Sequence, residues 1–300
     1  MKTAAALRFR RAAFCFSRID GAGVLSYNQA MITEVAGIRL AVTAMHPETY
    51  RFLADYEVPQ RPIDVLPGVN IPIQPTEEDI AFEREKSAAE DMAEGIPVRR
   101  FSDAYLETLA VLRRLAEDAP FHGAMLFHGS AVAVDGQGYI FTAKSGTGKS
   151  THAALWRQLL GEKAVMVNDD KPFIRIEYPA ADGEGMTNGR DWPAGKRPWP
   201  CARVYGSPWN GKHRLGSNIS VPLKAICILE RAEKNSIARV SPHEAYPMLL
   251  QQVYRPSESL GMQQTLKLVD ELARSVEFWR LGCNMDIEAA KLSYEAMSGA

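Results

Sequence analysis

A short apolar run, Tyr139–Thr142, opens directly onto Ala143-Lys144-Ser145-Gly146-Thr147-Gly148-Lys149-Ser150-Thr151, and a helical pattern follows to about Leu160. Few local sequences restrict a fold as tightly. The glycines let the backbone curl until several N–H groups point inward, and the helix adds the positive end of its dipole. A strand–loop–helix unit of this kind cradles phosphate, and it needs a sheet with a helix laid on it. The expected fold is therefore α/β, a mixed sheet carrying a phosphate loop (Walker A, P-loop). Ala143 stands where the motif usually has glycine, which a negative φ accommodates. Ser145, Gly146, Thr147, Gly148, Lys149, Ser150 and Thr151 are the expected nucleotide-binding residues, with Lys149 reaching the β- and γ-phosphates and Ser150 ligating Mg²⁺. The cofactors this implies are ATP and Mg²⁺.

The surroundings agree. Met125–Val134 is strand-like, Asp135-Gly136-Gln137-Gly138 is a turn, and Gly161 stops the helix. Ala164–Val167 is a buried strand with Asn168-Asp169-Asp170 at its exit. Further strands are expected at Val204-Tyr205, Leu223–Leu229 and Val276–Leu281. Helices are expected from Ser241-Pro242-His243-Glu244 onward, over Gln263–Arg274 and over Asp286–Met297. Upstream, Glu34–Thr43 reads as a strand and Pro47–Tyr56 as a short helix. Pro59, Pro62, Pro67, Pro72 and Pro75 exclude a long helix between them. Thr76–Glu94 is acidic and helical in composition, with sparse apolar positions, and reads as a solvated or partly mobile segment rather than a binding tail. A helix capped by Ser102 runs to about Glu117, with Leu106, Leu109, Leu112 and Leu115 on its apolar face. Pro120 marks the join between an N-terminal α+β portion, 1–120, and the nucleotide-binding part, 121–300.

Bulk properties narrow the partners. A net charge of −1 and a pI near 6.6 offer no basic excess for nucleic acid. Cys15, Cys201, Cys227 and Cys283 form no C-x-x-C pair, so neither a zinc site nor a disulfide framework is indicated. The basic N-terminal stretch is broken by Arg8, Arg10 and Arg11, and no long apolar run suits a membrane span. A cytoplasmic protein is the expectation.

An acid at the end of an apolar strand downstream of a phosphate loop commonly serves Mg²⁺. Of the adjacent pair Asp169 and Asp170, one can hold metal while the other accepts a proton from an attacking hydroxyl. For the acceptor side, Gly206–Lys212 would either close over substrate or form a tight turn with its Trp packed on the core. Trp209 would exclude water and Lys212 would meet phosphate. Arg231 and Arg255 are candidates for neutralising transition-state charge, and Lys171 for balancing the aspartates. His46, His152 and His243 read as structural residues. Cys283-Asn284 reads as a helix start.

Three features together, Ser145–Thr151, His128-Gly129 and Asn168-Asp169-Asp170, resemble the HPr kinase/phosphorylase and phosphoenolpyruvate carboxykinase group. The likeness covers about Leu126–Ile176 and, more loosely, the chain to about residue 255. In particular the chain is similar to uncharacterised bacterial HPr kinase-like proteins. Residues 1–120 do not resemble the N-terminal domain of HPr kinases. The resemblance implies an HPr kinase C-terminal-domain-like fold and a kinase, with Asp170 as acid/base, Asp169 on the metal side, Lys149 on the phosphates and His128 near the transferred phosphate. It also implies an assembly larger than a monomer. The expected activity is transfer of phosphate from Mg²⁺-ATP to a hydroxyl of a protein, peptide or small metabolite. The alternatives are a non-catalytic nucleotide-responsive regulator and a carboxykinase-like enzyme, whose further Lys, His and Arg have no counterpart that can be placed here.

Overall fold

The computed structural model describes residues 30–58, 71–178, 201–211 and 214–299. They fall into two compact units, Met1–Glu34 with Arg39–Val111 and Val35–Ile38 with Leu112–Ala300. Lys212 and the 179–200 stretch lie outside the described residues.

Strands Met31–Val35 (β1) and Ile38–Val42 (β2) are separated by Ala36 and Gly37, at φ 52° and 70°. Two successive residues at positive φ form a tight hairpin turn, so the single strand expected over Glu34–Thr43 is in fact two. Helix Pro47–Leu53 (α1) starts with a proline, whose missing N–H costs nothing there. Strand Ile71–Ile73 (β3) runs parallel to β2. Helix Glu77–Ala93 (α2) is closed by a capping box between Thr76 and Asp79, and buries Ile80 and Glu83. The helix forms where the composition suggests one and is mostly exposed, and its capping box and buried residues fix it in place. Helix Asp103–Asp118 (α3) forms where its leucine spacing places it, with the Ser102 hydroxyl accepting from the Tyr105 N–H. Its buried Glu107 accepts from the Met45 and His46 N–H groups and from the Thr49 hydroxyl, supplying the start of α1 with an acceptor.

After α3 come strands Ala124–Leu126 (β4), Ser130–Val134 (β5) and Gln137–Thr142 (β6). Residues 127–129 interrupt the single strand expected there. Helix Lys149–Leu160 (α4) and strands Ala164–Asn168 (β7), Phe173–Glu177 (β8) and Cys201–Tyr205 (β9) follow. The long strand Ser220–Arg231 (β10) leads to Ser236–Val240 (β11) and helices Pro242–Gln252 (α5) and Ser259–Ser275 (α6). Strand Glu277–Cys283 (β12) and helix Ile287–Ser298 (α7) close the described chain.

Nine strands form one mixed sheet in the order β4-β8-β9-β10-β6-β5-β7, with β12 beside β10 and β11 beside β12. β10 is the joint. Its first residues pair antiparallel with β9, and after a register break between Leu223 and Ala225 it continues parallel to both β6 and β12. Three neighbouring parallel strands thus end at one edge. β5 is antiparallel to both β6 and β7, with Ser130 opposite Phe141 and Ala131 opposite Asn168. The start of β5 and the end of β7 therefore lie at that same edge.

Side chains alternate across the sheet. Tyr139, Phe141, Ala225, Cys227 and Leu229 point to one face, against Trp156 of α4 and Ala290 and Met297 of α7. Ile140, Ile226, Ile228 and Phe278 point to the other, against Ala245 and Leu249 of α5 and Leu268, Val269 and Leu272 of α6. Both faces being covered explains why Tyr139–Phe141 of β6 and Ala225–Leu229 of β10 read as continuous apolar runs.

His152 belongs to the first of these cores and is 2% exposed. Ser293 Oγ donates to the Ala290 carbonyl and accepts from Trp156 Nε1, so the short contact with His152 Nε2 (2.9 Å) is best served by an Nε2–H donor. Nδ1 is then a buried acceptor without a partner among the described residues. Burial pushes this histidine down to about 4. Between the unfolded value of about 6.5 and that folded value, unfolded chains take up a proton that folded chains refuse. Stability therefore falls with pH across that window, by about 3 kcal/mol in all. Urea unfolding followed from pH 7 to 4 checks this. His152→Gln should flatten the slope, and an unaltered slope would rule this histidine out as its source.

Candidate functional site

The glycine-rich loop leaves β6 and enters α4 at the edge where the strands converge. Gly146 and Gly148 sit at φ 73° and 117°, a region that side-chain-bearing residues rarely adopt. The first helical bond of α4 runs from the His152 N–H to the Gly148 carbonyl. The N–H groups of Lys149, Ser150 and Thr151 therefore have no acceptor within the helix. α2 and α5 satisfy such groups with capping boxes, whereas the N-cap of α4 is Gly148, with no side-chain bond and no acid in the first turn. Ser145, Gly146 and Ser150 are exposed. The loop is thus a positively polarised concavity made of backbone.

Lys149 closes one side. Its ammonium is buried and donates to the Ala143 carbonyl across the loop at 3.2 Å. Burial lowers its pKa, with Lys171 acting in the same sense and the Asp170 charge opposing. A desolvated cation with one carbonyl for company gains from a second, anionic partner. On the opposite side of the loop, Arg231 at the end of β10 donates to the Gly146 carbonyl.

Asn168, fully buried at the end of β7, organises the aspartate pair. Its Oδ1 accepts from the N–H groups of Asp170 (2.8 Å) and Lys171 (2.6 Å), bending the chain sharply off the strand. Its Nδ2 donates to the Ser207 carbonyl and hydroxyl and to the Trp209 carbonyl, while Ser207 Oγ donates onward to the Lys171 carbonyl. The turn and the 206–209 segment are locked together. Asn168→Asp keeps the shape but removes these donors and adds a third carboxylate, so a loss of about 3 kcal/mol is expected. Denaturant unfolding of the variant measures it, and a loss under about 1 kcal/mol would mean the segment is held by other contacts.

The bend sends the two aspartates different ways. Asp169 is 5% exposed, and its Oδ1 accepts from the Ser130 hydroxyl at 3.1 Å. No described residue gives a hydrogen bond to its Oδ2, and the site of a Cβ on Gly211 would lie only 2.9 Å from that oxygen, so no side chain fits there. Asp170 is a third exposed, with Oδ1 3.0 Å from His128 Nδ1 and Oδ2 2.9 Å from Lys171 Nζ. Burial alone would raise its pKa. The His128 hydrogen bond and the adjacent Lys171 charge outweigh burial and hold it well below the usual carboxylate range. That bond requires the His128 ring proton on Nδ1, which leaves Nε2 outside the pair.

Sequence reasoning puts His128 on a strand. It lies instead in the link between β4 and β5, fixed by its N–H to the Gln252 carbonyl and by the Thr142 hydroxyl to its own carbonyl. Thr142 thus ties His128 to the strand that launches the loop, a connection with no sequence signal. Trp209 is 4% exposed, the packed-turn arrangement of the two that its sequence allowed. Lys171, considered only as a counter-charge, is the direct partner of Asp170. Arg255 is exposed and has no hydrogen bond or ion pair among the described residues. Among those residues, no three His, Cys, Asp or Glu side chains gather as a metal cluster. Nor is any helix long and apolar enough to cross a membrane.

No family model matches the chain, and no curated protein matches it. Among solved structures it is similar to the HPr(Ser) kinase/phosphatase from Coxiella burnetii, at 15% identity over 49% of this chain and 90% of that one, with a TM-score of 0.20. An overlap that small leaves the site to be argued from its own geometry.

Proposed function

We propose that this chain is a Mg²⁺-ATP-dependent phosphotransferase acting on a hydroxyl. The observation that carries the reading is the convergence, at one sheet edge, of an uncapped glycine-rich loop, a buried Lys149 and an ionised Asp170 close enough to bear on each other electrostatically. The loop amides would hold phosphate oxygens. Lys149 would keep the Ala143 carbonyl and turn its remaining N–H groups to the β- and γ-phosphates. Mg²⁺ commonly takes one or two protein oxygens and fills its shell with phosphate and water. The exposed Ser150 hydroxyl and Asp169 Oδ2, which has no donor among the described residues, fit that demand, and bound there the ion would spread the charge of the transferring group.

In the transfer itself, the acceptor oxygen forms a bond to the γ-phosphorus as the bond to the β-bridging oxygen breaks, and ADP leaves. The hydroxyl proton passes to Asp170. A carboxylate held this far below its usual range is a weak base. It suits a loose transition state, in which the hydroxyl keeps its proton until late and must chiefly be aimed. His128 and Lys171 keep Asp170 ionised and fix its direction, so they are positioning residues.

Incubating the protein with γ-labelled Mg²⁺-ATP and a size-fractionated soluble bacterial extract tests the reading. Label in a protein, peptide or metabolite fraction, absent with Lys149→Ala and with Asp170→Asn, supports it and identifies the acceptor class. ATP binding with neither transfer nor hydrolysis would overturn it.

A further inference from the structure

Thr142 is the last residue of β6, next to Ala143 at the start of the loop, and its side chain is fully buried. Ile140, two residues back, packs in the apolar core with residues of α5 and α6, and side chains two apart on a strand share a face. A buried hydroxyl gives up hydration and must recover it in a hydrogen bond, whereas valine, of nearly the same shape, carries no such cost. The bond that this hydroxyl makes is to the His128 carbonyl, which accepts from it at 3.0 Å.

That carbonyl belongs to a peptide with a second attachment. At its other end the Gly129 N–H donates to the Asp170 carbonyl at 3.2 Å. One flat peptide therefore joins the strand that launches the loop to the backbone of Asp170. Hydrogen bonds in series polarise one another, so the two strengthen together. The close approach depends on Gly129. A Cβ there would lie 2.8 Å from the buried Ile140 side chain and 3.0 Å from the Phe141 carbonyl, and would press the chain away from β6. On the other side of the histidine, its own N–H donates to the Gln252 carbonyl at 2.8 Å. Both peptides flanking His128 are thus held, and its ring meets Asp170 Oδ1 from a fixed footing.

We propose that Thr142 is a positioning residue for phosphotransfer, holding the His128–Asp170 pair in register with the phosphate loop through the His128–Gly129 peptide. The inference rests on the phosphotransferase reading above and deepens it. The loop leaves β6 and the aspartates leave β7, with β5 between the two strands. The Thr142 hydroxyl crosses that gap, tying the chain at the mouth of β5 to the residue beside the loop. In-line transfer is intolerant of a badly aimed acceptor, and a misplacement of about 1 Å can cost about 10²-fold in rate. Without the hydroxyl the 128–129 peptide can turn, and the ring and the Asp170 carboxylate shift relative to bound phosphate.

Two variants separate the hydroxyl from the packing. Thr142→Val removes the hydroxyl and keeps the shape, while Thr142→Ser keeps the hydroxyl and loses a methyl group. The full chain labelled with ¹⁵N-histidine reports on the ring without any turnover, through the Nδ1–H signal of His128, assigned by its loss in His128→Ala. In Thr142→Val this signal should shift and broaden, transfer of label from ATP should slow about tenfold, and KM for ATP should stay within about twofold of wild type. In Thr142→Ser the signal and the transfer rate should both return to within about twofold of wild type. A role confined to packing predicts the reverse order, with serine, which leaves a void, worse than valine. That reverse order, or a wild-type rate with an unmoved signal in Thr142→Val, would overturn the inference. Should wild type bind ATP and transfer nothing, the phosphotransferase reading falls by itself. The signal then still judges the tie between Thr142 and the pair: moved by valine and restored by serine, the tie stands; unmoved by valine, it falls too.

Discussion

Lys149→Ala should lower affinity for ATP and for tripolyphosphate alike, by roughly 10²–10⁴-fold, and take phosphotransfer below detection. The ammonium would make charge-assisted bonds to two phosphates, each worth about 1.5–3 kcal/mol. The same substitution should barely change stability. Among the described residues the buried ammonium has the Ala143 carbonyl alone as partner, and it carries an unfavourable desolvation, so its removal relieves one cost while leaving one carbonyl and a small void. Lys149→Met, which keeps most of the stem, separates packing from charge. Calorimetric titration and thermal unfolding of both variants would decide. If the methionine variant binds triphosphate within about threefold of wild type, the loop is not a phosphate site of the proposed kind.

The loop is legible in the sequence because its determinants are local. Gly146, Gly148, Lys149 and the flanking apolar run lie close together in the chain, and each acts through its own backbone or the next turn. The capping boxes at Thr76–Asp79 and Ser241–Glu244 share that property. Only the second is picked out as a cap in the sequence; the 76–94 segment reads as helical in composition, but its sparse apolar face does not disclose the burial of Ile80 and Glu83 that holds it in place. What sequence does not disclose depends on strands far apart in the chain. β8 hides behind Lys171-Pro172 and becomes a strand through its pairing with β4 and β9. β11 is a mostly exposed edge with little apolar alternation to betray it. The companions of Asp170 divide the same way. Lys171 is its neighbour in sequence, but the approach of His128 requires the 127–129 break, the Thr142 hydroxyl and the Gln252 carbonyl, and no spacing rule encodes those three.

The sharpest test of mechanism is Asp170→Asn, which should cut turnover by about 10²–10⁴-fold, the span typical of a lost general base. ATP affinity should stay the same or rise slightly, since a negative charge near the γ-phosphate disappears. The geometry favours a clean result. The amide oxygen introduced by this substitution can still accept from Lys171, while the amide nitrogen would face His128 Nδ1 and reverse the donor sense of that 3.0 Å bond. The ring would then shift its proton to Nε2, a tautomer change that an imidazole makes readily. Asp169→Asn should behave differently, weakening Mg²⁺ dependence more than triphosphate binding, because its Oδ1 can still take the Ser130 hydroxyl while Oδ2 loses its charge. His128→Ala supplies the decisive contrast. As a positioning residue, its loss should let the Asp170 carboxyl rise toward its ordinary range, shifting the acidic limb of the pH–rate profile upward with turnover reduced about tenfold at neutral pH. Should Asp170→Asn retain turnover within about threefold while His128→Ala abolishes it, the proton goes to the imidazole Nε2, and Asp170 is the group that orients it.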